Sequence, residues 1–190
     1  SGNETVSYTY DANGNKKSET LANGVVSNYT YNGANKITNL VTKSGDLTIS
    51  EYEYSYYLDG SDACKVRSEN GIIETTDYEY DGLKRLAEES VKVGSHTTDT
   101  YSYEYDDYGN RSKMTATGSE TYETVYDYTV NGKYTALLQK ETKSVEETSD
   151  VTPTNDLASN PLDLRNATSK DFNVETTAYT YDANGNQITK

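Results

Sequence analysis

Along most of the chain, aromatic and polar residues alternate with a period of two, and short polar stretches containing glycine interrupt the alternation. The pattern is clearest in tyrosines spaced two residues apart, such as Tyr8 and Tyr10 or Tyr78 and Tyr80. On a β-strand, residues with this spacing lie on the same face. Each pair therefore predicts a short strand that carries two rings on one face and ends in a turn.

The residues after each tyrosine pair predict the type of turn. In Asp11-Ala12-Asn13-Gly14, the aspartate can accept a main-chain hydrogen bond and the glycine can adopt a positive φ. A type I turn followed by a left-handed residue is a common hairpin closure with a β-bulge. Lys84 occupies the glycine position of one copy, where we expect strain of about 1 kcal/mol.

This unit occurs seven times. The second tyrosines are separated by 21 to 25 residues until a final step of 53 residues. Six copies align without a gap, and a longer loop is expected after Tyr56 in the remaining copy. The repeat positions are the paired tyrosines, the turn acids and the residues at the glycine position: Tyr8, Tyr10, Asp11, Gly14, Tyr29, Tyr31, Asn35, Tyr54, Tyr56, Tyr78, Tyr80, Asp81, Tyr103, Tyr105, Asp106, Gly109, Tyr126, Tyr128, Gly132, Tyr179, Tyr181, Asp182 and Gly185.

A second turn signal, such as Asn23-Gly24 or Asn70-Gly71, follows each return strand. Each repeat is thus two strands and two turns, and the predicted fold is all-β, a long antiparallel β-meander of repeated hairpins. Seven repeats correspond to about 13 strands at ~4.8 Å per strand. A sheet of that length is expected to curve.

The repeats define one continuous domain. Residues 1–148 carry the first six hairpins, and residues 174–190 begin a seventh. Between them, residues 149–173 contain both prolines and predict an irregular inserted loop, with one short helical turn near 161–165. Because the chain opens with Ser1-Gly2 rather than a secretory signal, we expect it to be an excised piece of a larger protein.

Composition narrows the classes of partner. Only 33% of residues are apolar, and this fraction includes the 20 tyrosines, so a thick core is poorly supplied. The net charge of -14, from 17 basic and 31 acidic residues, argues against a nucleic-acid partner. The longest apolar runs are two or three residues, far short of the ~20 that a membrane helix needs, so no membrane insertion is predicted.

The chain offers little catalytic chemistry. Asp11, Asn13 and Asn15 alternate as in a calcium loop, but an EF-hand needs glycine at its sixth position and glutamate at its twelfth. His96 is the single histidine, and no spacing supplies partners for a triad or a zinc site. Cys64 is the single cysteine and cannot form an internal disulfide. We predict no cofactor, no metal site and no enzymatic activity.

The tyrosine rows permit two interpretations. In the first, rings at matching heights stack across the sheet, each pair contributing roughly 0.2–1 kcal/mol. In the second, exposed rings form a platform for carbohydrates or cell-wall glycans. We favour the first, because the tyrosines keep strict register with the turns, which a scaffold requires and a binding site does not.

Four segments share a fuller pattern: Tyr10–Asn15, Tyr80–Leu86, Tyr105–Arg111 and Tyr181–Asn186 each begin with Tyr-Asp and continue through a turn to polar or basic residues. In this respect the chain resembles the YD-repeat, or rearrangement-hotspot (Rhs), family. The departures are Asn32 and Thr129 in place of the aspartate. Members of this family are large secreted or surface polypeptides whose hairpins form a hollow shell, as in bacterial polymorphic toxins, wall-associated proteins and teneurins.

The resemblance implies a segment of a β-shell from a secreted or cell-surface bacterial protein, serving to encapsulate or display a C-terminal effector. The partner would be the remainder of the parent polypeptide. The self-cleaving motif and the toxin domain of many members have no counterpart in this sequence, so those activities are not transferred. An open sheet also leaves two unpaired edges, which predicts self-association through an edge or through the tyrosine face.

Overall fold

All regular elements of this computed structural model are β-strands. No helix occurs within residues 5–146 and 172–189, the parts of the chain that the structure describes. The strands are β1 (Ser7–Tyr10), β2 (Lys16–Thr20), β3 (Val25–Tyr31), β4 (Ile37–Ser44), β5 (Leu47–Tyr56), β6 (Asp62–Glu69), β7 (Ile72–Tyr80), β8 (Leu86–Val93), β9 (His96–Tyr105), β10 (Arg111–Gly118), β11 (Tyr122–Asp127), β12 (Thr129–Val130), β13 (Lys133–Tyr134), β14 (Lys140–Glu146), β15 (Phe172–Ala178), β16 (Thr180–Tyr181) and β17 (Gln187–Thr189).

Thirteen of these strands form a single antiparallel sheet. Its order is β1 through β11, then β14 and β15, so each strand of the sheet lies beside the next strand of that sheet along the chain. The remaining strands form two small hairpins, β12–β13 and β16–β17. The sheet is not closed, and β1 and β15 are its edges. The predicted all-β antiparallel meander is therefore confirmed.

The chain divides into two compact units, Ser1–Thr100 and Tyr101–Lys190, with the boundary inside β9. The first unit is a regular meander in which every hairpin joins neighbouring strands of the sheet. The second unit contains an interruption, because the β12–β13 hairpin is inserted between the paired strands β11 and β14. Asp127 at the end of β11 faces Lys140 at the start of β14.

The interior of the fold is thin. Ala116 is the one buried apolar residue in the described part of the chain, at 2% exposure, and Thr76 and Thr124 are buried at 3%. Large apolar side chains such as Leu47 and Ile72 remain exposed. The expectation that a thick core is poorly supplied is met, so hydrogen bonds and ring contacts take a larger share in holding the strands together.

The turn after each tyrosine pair is built around one side-chain oxygen. Asp11 Oδ1 accepts the main-chain N–H groups of Asn13 at 2.9 Å and Asn15 at 2.8 Å, while the Gly14 N–H donates to the Asp11 carbonyl at 3.1 Å. The equivalent oxygens that accept two main-chain N–H groups belong to Asn32, Asp81, Asp106 and Asp182. In the hairpins β1–β2, β3–β4 and β7–β8 the strand register shifts next to this turn, as a bulge requires.

The left-handed conformation predicted for the last turn position is present, with φ of 84° at Gly14, 58° at Asn35 and 63° at Lys84. A lysine is unusual at such a position. The Lys84 ammonium lies 2.9 Å from a carboxylate oxygen of Asp59 in the neighbouring turn. This ion pair offers a reason for a side chain where most copies have glycine.

The copy at Tyr54 and Tyr56 corrects one sequence expectation, because its loop is not longer than the others. The Tyr57 N–H donates to the Ser61 carbonyl at 2.9 Å, and the Gly60 N–H donates to the Tyr57 carbonyl at 2.9 Å. Tyr57 therefore stands where other copies have aspartate, and Gly60 is the turn glycine. The carboxylate comes instead from Asp59, which accepts the Ser61 N–H at 3.0 Å.

The copy at Gly132 also differs from its prediction, because it has a different type of turn. Asn131 and Gly132 form a two-residue turn between β12 and β13, with φ of 50° and 72°. Positive φ at both central residues is typical of a type I′ turn, not of the bulged turn that the offset from Tyr126 and Tyr128 predicted. The larger connection closes where the Gln139 N–H donates to the Asp127 carbonyl at 2.8 Å.

The predicted irregular loop at 149–173 falls mostly outside the described residues. Strand β15 begins at Phe172, within the last two residues of that range. Residues 147–171, including the helical turn expected near 161–165, lie outside the part of the chain that the structure describes. The hairpin expected from residue 174 onward includes β16 and β17, which pair Tyr181 with Gln187.

The turn geometry predicts a difference between two substitutions at Asp81. Asp81→Ala removes the acceptor for the N–H groups of Leu83 and Arg85, so we expect a clear fall in the urea concentration at the unfolding midpoint. Asp81→Asn keeps that acceptor, as Asn32 does in its own copy, and loses only the ion pair with the Arg85 guanidinium. Its midpoint should fall by less. Equal losses for the two variants would contradict the proposed role of the side-chain oxygen.

The turn carboxylates also predict a pH dependence. The Asn15 side-chain amide and nearby N–H groups lower the pKa of Asp11, the Arg85 N–H and guanidinium lower that of Asp81, and the Asn186 amide and N–H lower that of Asp182. A pKa that is lower in the folded chain gives stability that is fully present above the unfolded pKa of about 4 and is lost as the pH falls through the folded pKa. Carboxyl ¹³C shifts followed by NMR should show midpoints below that unfolded value. Midpoints at or above it would refute the assignment.

Candidate functional site

The tyrosine face is the side of the sheet that carries the paired rings. Both rings of each pair are half-buried, except in the first pair, where Tyr8 is 48% and Tyr10 is 61% exposed. This pair lies on the edge strand β1, where no further hairpin covers it. The burial of a tyrosine pair therefore depends on a neighbouring hairpin on its preceding side.

In four copies the hydroxyl of the second tyrosine joins its hairpin to the preceding one. The Tyr31 hydroxyl donates to the Lys16 carbonyl at 2.7 Å, and the Tyr56 hydroxyl donates to the Ile37 carbonyl at 2.5 Å. In the second unit, the corresponding bonds are Tyr128 to Arg111 at 3.1 Å and Tyr181 to Leu138 at 2.7 Å. Lys16, Ile37 and Arg111 are each the first residue of a return strand. We call these hydroxyl-to-carbonyl bonds the tyrosine rungs.

Sequence reasoning missed the rungs, because any residue can supply a main-chain carbonyl. The expected contact was ring stacking across the sheet. The ring contacts that the structure shows include Tyr52 with Tyr54 along one strand at 6.4 Å and Tyr57 edge-on to Tyr80 at 6.0 Å. One signal was available in the composition: 20 tyrosines stand against a single phenylalanine, whereas stacking alone would accept either residue.

Basic residues placed just after the turns lie over tyrosine rings, either of the next hairpin or, for Arg111, of their own hairpin. The Lys16 ammonium is 4.4 Å from the centre of the Tyr29 ring, and the Lys36 ammonium is 4.8 Å from that of Tyr56. In the second unit the Arg111 guanidinium lies 4.2 Å from the Tyr103 ring centre. Such cation–π contacts contribute roughly 0.5–1 kcal/mol at exposed sites. They give a physical reason for basic residues at this point of the repeat.

The turns that follow the tyrosine pairs also contact one another; together they form what we call the turn row. In the first unit, Asn35 Oδ1 accepts the Asn15 side-chain amide at 2.8 Å, and the Lys36 ammonium donates to the Gly60 carbonyl. In the second unit, the Tyr134 hydroxyl donates to the Asp106 carboxylate at 3.1 Å. The turns at Asn15, Asn35 and Gly60 are thus linked to one another, and the turn at Asp106 is linked to the β12–β13 hairpin.

Burial favours the neutral form of four paired tyrosines. Burial raises the pKa of Tyr54, Tyr56, Tyr78 and Tyr80 above the ordinary tyrosine value. The pKa of Lys16 is raised as well, chiefly by its hydrogen bond to Glu19 and then by Tyr29. These hydroxyls therefore remain hydrogen-bond donors, and Lys16 remains a cation, across the physiological pH range.

The residues considered for chemistry lie apart from each other. His96 is exposed at the start of β9, and Cys64 is half-buried opposite Asp77 in the neighbouring strand. Burial, followed by the contact with Asp77, raises the pKa of the Cys64 thiol, which disfavours the reactive thiolate. Within residues 5–146 and 172–189, no three His, Cys, Asp or Glu side chains are grouped to hold a metal ion.

The same described ranges contain no helix long and apolar enough to span a membrane.

The carboxylate of Asp11, considered above for calcium, is already used for hydrogen bonds within the turn. One of its oxygens accepts two main-chain N–H groups, and the other accepts the Asn15 amide at 3.0 Å. The geometry of this surface therefore supports a scaffold more directly than it supports a reaction.

Comparison with known proteins gives a likeness in three dimensions only. No model of a protein family matches the chain, and no curated protein does. A crystal structure of TcdB2-TccC3-Cdc42 aligns with a TM-score of 0.65 and 22% sequence identity. The alignment covers 97% of this chain and 9% of the matched chain. Crystal structures of TcdB2-TccC3, and of TcdB2-TccC3 without its hypervariable C-terminal region, align at 0.64 and 0.63 with the same identity and coverage. The chain therefore shares the fold of a segment of TcdB2-TccC3, in agreement with the resemblance to Rhs, or YD-repeat, shells.

Proposed function

We propose that this chain is a structural module, a segment of an Rhs/YD-repeat β-shell that encapsulates or displays a C-terminal effector of a secreted or cell-surface protein. The observation that carries the proposal is the series of tyrosine rungs. In each rung a tyrosine hydroxyl donates to the main chain of the preceding hairpin, so the repeated residues hold the hairpins of the wall of the shell together. A catalytic role is not part of the proposal.

The edge strand supports continuation of the wall on its preceding side. Tyr8 and Tyr10 are exposed, whereas every later pair is half-buried. Unpaired strand edges are usually covered, charged or paired in native proteins. A further hairpin of the same kind, from the remainder of the parent polypeptide, would cover the two rings and supply a carbonyl for Tyr10. This is the partner that we propose.

The effector is inferred from the matched structures. One of them is TcdB2-TccC3 without its hypervariable C-terminal region, so the matched protein has such a region. This chain spans 9% of that matched chain. We infer that the rest of a comparable protein is supplied by the parent polypeptide. By analogy, we place a C-terminal effector in the parent of this chain, together with a secreted or surface location.

A carbohydrate-binding role is the second candidate, and one exposed ring pair favours it. Tyr108 is 73% exposed and stacks on Tyr134, with 4.2 Å between the ring centres. Exposed aromatic faces of this kind suit the apolar faces of sugar rings. The rung tyrosines suit this role less well, because they are half-buried and their hydroxyls are bonded to the main chain.

The structural role predicts that removing a single rung hydroxyl destabilises the fold. Tyr56→Phe keeps the ring but leaves the Ile37 carbonyl without its donor, so we expect a loss of about 1 kcal/mol in the free energy of unfolding. Tyr10→Phe is the matched control on the edge strand and should change stability by much less. Urea unfolding followed by circular dichroism measures both. Equal effects of the two substitutions would remove the rungs as the basis of the proposal.

The two candidate functions separate in a glycan-binding assay. If the surface binds cell-wall polysaccharide, Tyr108→Ala should abolish retention on an immobilised polysaccharide column while the unfolding midpoint stays near that of the unmodified chain. A purely structural module should show no retention before or after the substitution. Retention that disappears with Tyr108 would favour the second candidate, and Tyr56→Phe is the control that should leave it unchanged.

A further inference from the structure

The turns contain six Asn-Gly dipeptides, which are chemically labile in any protein. They are Asn13-Gly14, Asn23-Gly24, Asn32-Gly33, Asn70-Gly71, Asn131-Gly132 and Asn184-Gly185. In this pair, the glycine nitrogen can attack the side-chain amide carbon of the asparagine. A new C–N bond closes a succinimide ring, the C–NH₂ bond breaks, and ammonia leaves with the proton lost by the glycine nitrogen. Water then opens the ring to aspartate or isoaspartate.

Three of the six pairs are protected by the turn itself. The attacking nitrogen already donates its hydrogen to a carbonyl: Gly14 to Asp11 at 3.1 Å, Gly24 to Leu21 at 2.9 Å and Gly185 to Asp182 at 3.0 Å. This bond closes the turn, and it must break before the nitrogen can attack. At Gly14 and Gly185 the turn that defines the repeat therefore also shields its asparagine, and at Gly24 the second turn does so.

A fourth pair is protected from the other side. Asn32 occupies the aspartate position, and its side-chain oxygen accepts the N–H groups of Ala34 at 2.9 Å and Lys36 at 3.1 Å. Attack by the Gly33 nitrogen would have to turn this amide and lose both bonds. Here the electrophile, rather than the nucleophile, is held in place.

The remaining two pairs lie in two-residue turns with neither form of protection. Asn70 and Gly71 have φ of 53° and 77°, and Asn131 and Gly132 have φ of 50° and 72°. All four residues are exposed. Within the described part of the chain, the side chains of Asn70 and Asn131 form no hydrogen bond, and the N–H groups of Gly71 and Gly132 form none either.

We propose that Asn70 and Asn131 are sites of spontaneous deamidation, and that the other four Asn-Gly pairs are protected by their turn hydrogen bonds. The modification needs no enzyme and no reactant other than water. The modification separates two classes of turn. Turns with these hydrogen bonds keep their asparagine, whereas the two-residue turns at Asn70 and Asn131 lose theirs to aspartate or isoaspartate.

The product would alter the hairpin at Asn70. Isoaspartate carries the main chain through its side-chain carbon, so it adds one backbone atom to a loop of two residues. That loop sets the pairing of Glu69 with Ile72 at the ends of β6 and β7. The new carboxylate also lies next to Glu69 in an already acidic chain. Deamidation should therefore loosen the ends of these two strands.

The test is to incubate the folded, full chain in a mildly alkaline buffer and to follow each site by proteolysis and mass spectrometry with fragmentation that distinguishes isoaspartate. A parallel sample in concentrated denaturant gives the intrinsic rate of each site. For Asn13, Asn23, Asn32 and Asn184, the ratio of folded to denatured rate should be lower than for Asn70 and Asn131 by at least about fivefold, the factor that one typical hydrogen bond contributes to an equilibrium.

Two variants assign the signals. Asn70→Gln and Asn131→Gln, each made alone, should remove deamidation at that site and leave the rates at the other five unchanged. A ratio at Asn13 or Asn184 equal to or above that at Asn70 would overturn the proposal, because the turn hydrogen bonds would then give no protection. A folded chain that modifies neither Asn70 nor Asn131 faster than the protected sites would overturn it as well.

Discussion

The structure depends on the hydrogen bond from a tyrosine hydroxyl to the main chain of the preceding hairpin. The sheet buries few apolar side chains, since the described residues bury little beyond Ala116, Thr76 and Thr124. Tyrosine suits such a sheet because its ring packs on the sheet surface while its hydroxyl still forms a hydrogen bond. The bond from the Tyr31 hydroxyl to the Lys16 carbonyl has equivalents in three other hairpins. The interaction therefore stabilises the fold and also fixes how one hairpin packs against the preceding one.

Electrostatics support the same arrangement. The chain carries a net charge of -14, and its basic residues are few. Several of them stand directly after a turn, where Lys16, Lys36 and Arg111 lie over tyrosine rings. Carboxylates at the turns accept main-chain N–H groups, so part of the negative charge is held where donors converge. The negative net charge favours solubility in a chain with many exposed apolar side chains.

The two kinds of turn differ in what they are built to tolerate. The bulged turns are secured by a side-chain oxygen, a main-chain bond and contacts with the next turn, and they accept Asn35 or Lys84 in place of glycine. The two-residue turns at Asn70 and Asn131 rely on backbone conformation alone. The first kind recurs as a row along the repeats, whereas the second closes individual hairpins. The likeness to TcdB2-TccC3, at 22% identity, concerns the fold and leaves sequence free to vary outside these positions.

The sequence by itself determined the strands, the order of the hairpins and the conformation of most turns. These features follow from local rules: the spacing of Tyr8 and Tyr10 places both rings on one face, and Gly14 with Asp11 encodes the bulged turn. Only the tertiary structure showed that Tyr57 stands in for aspartate, that Asn131-Gly132 closes a separate hairpin, and that Tyr56 bonds to the Ile37 carbonyl. The reason is physical. A main-chain carbonyl has no sequence signature, and the partner of a tyrosine hydroxyl is set by how neighbouring hairpins pack.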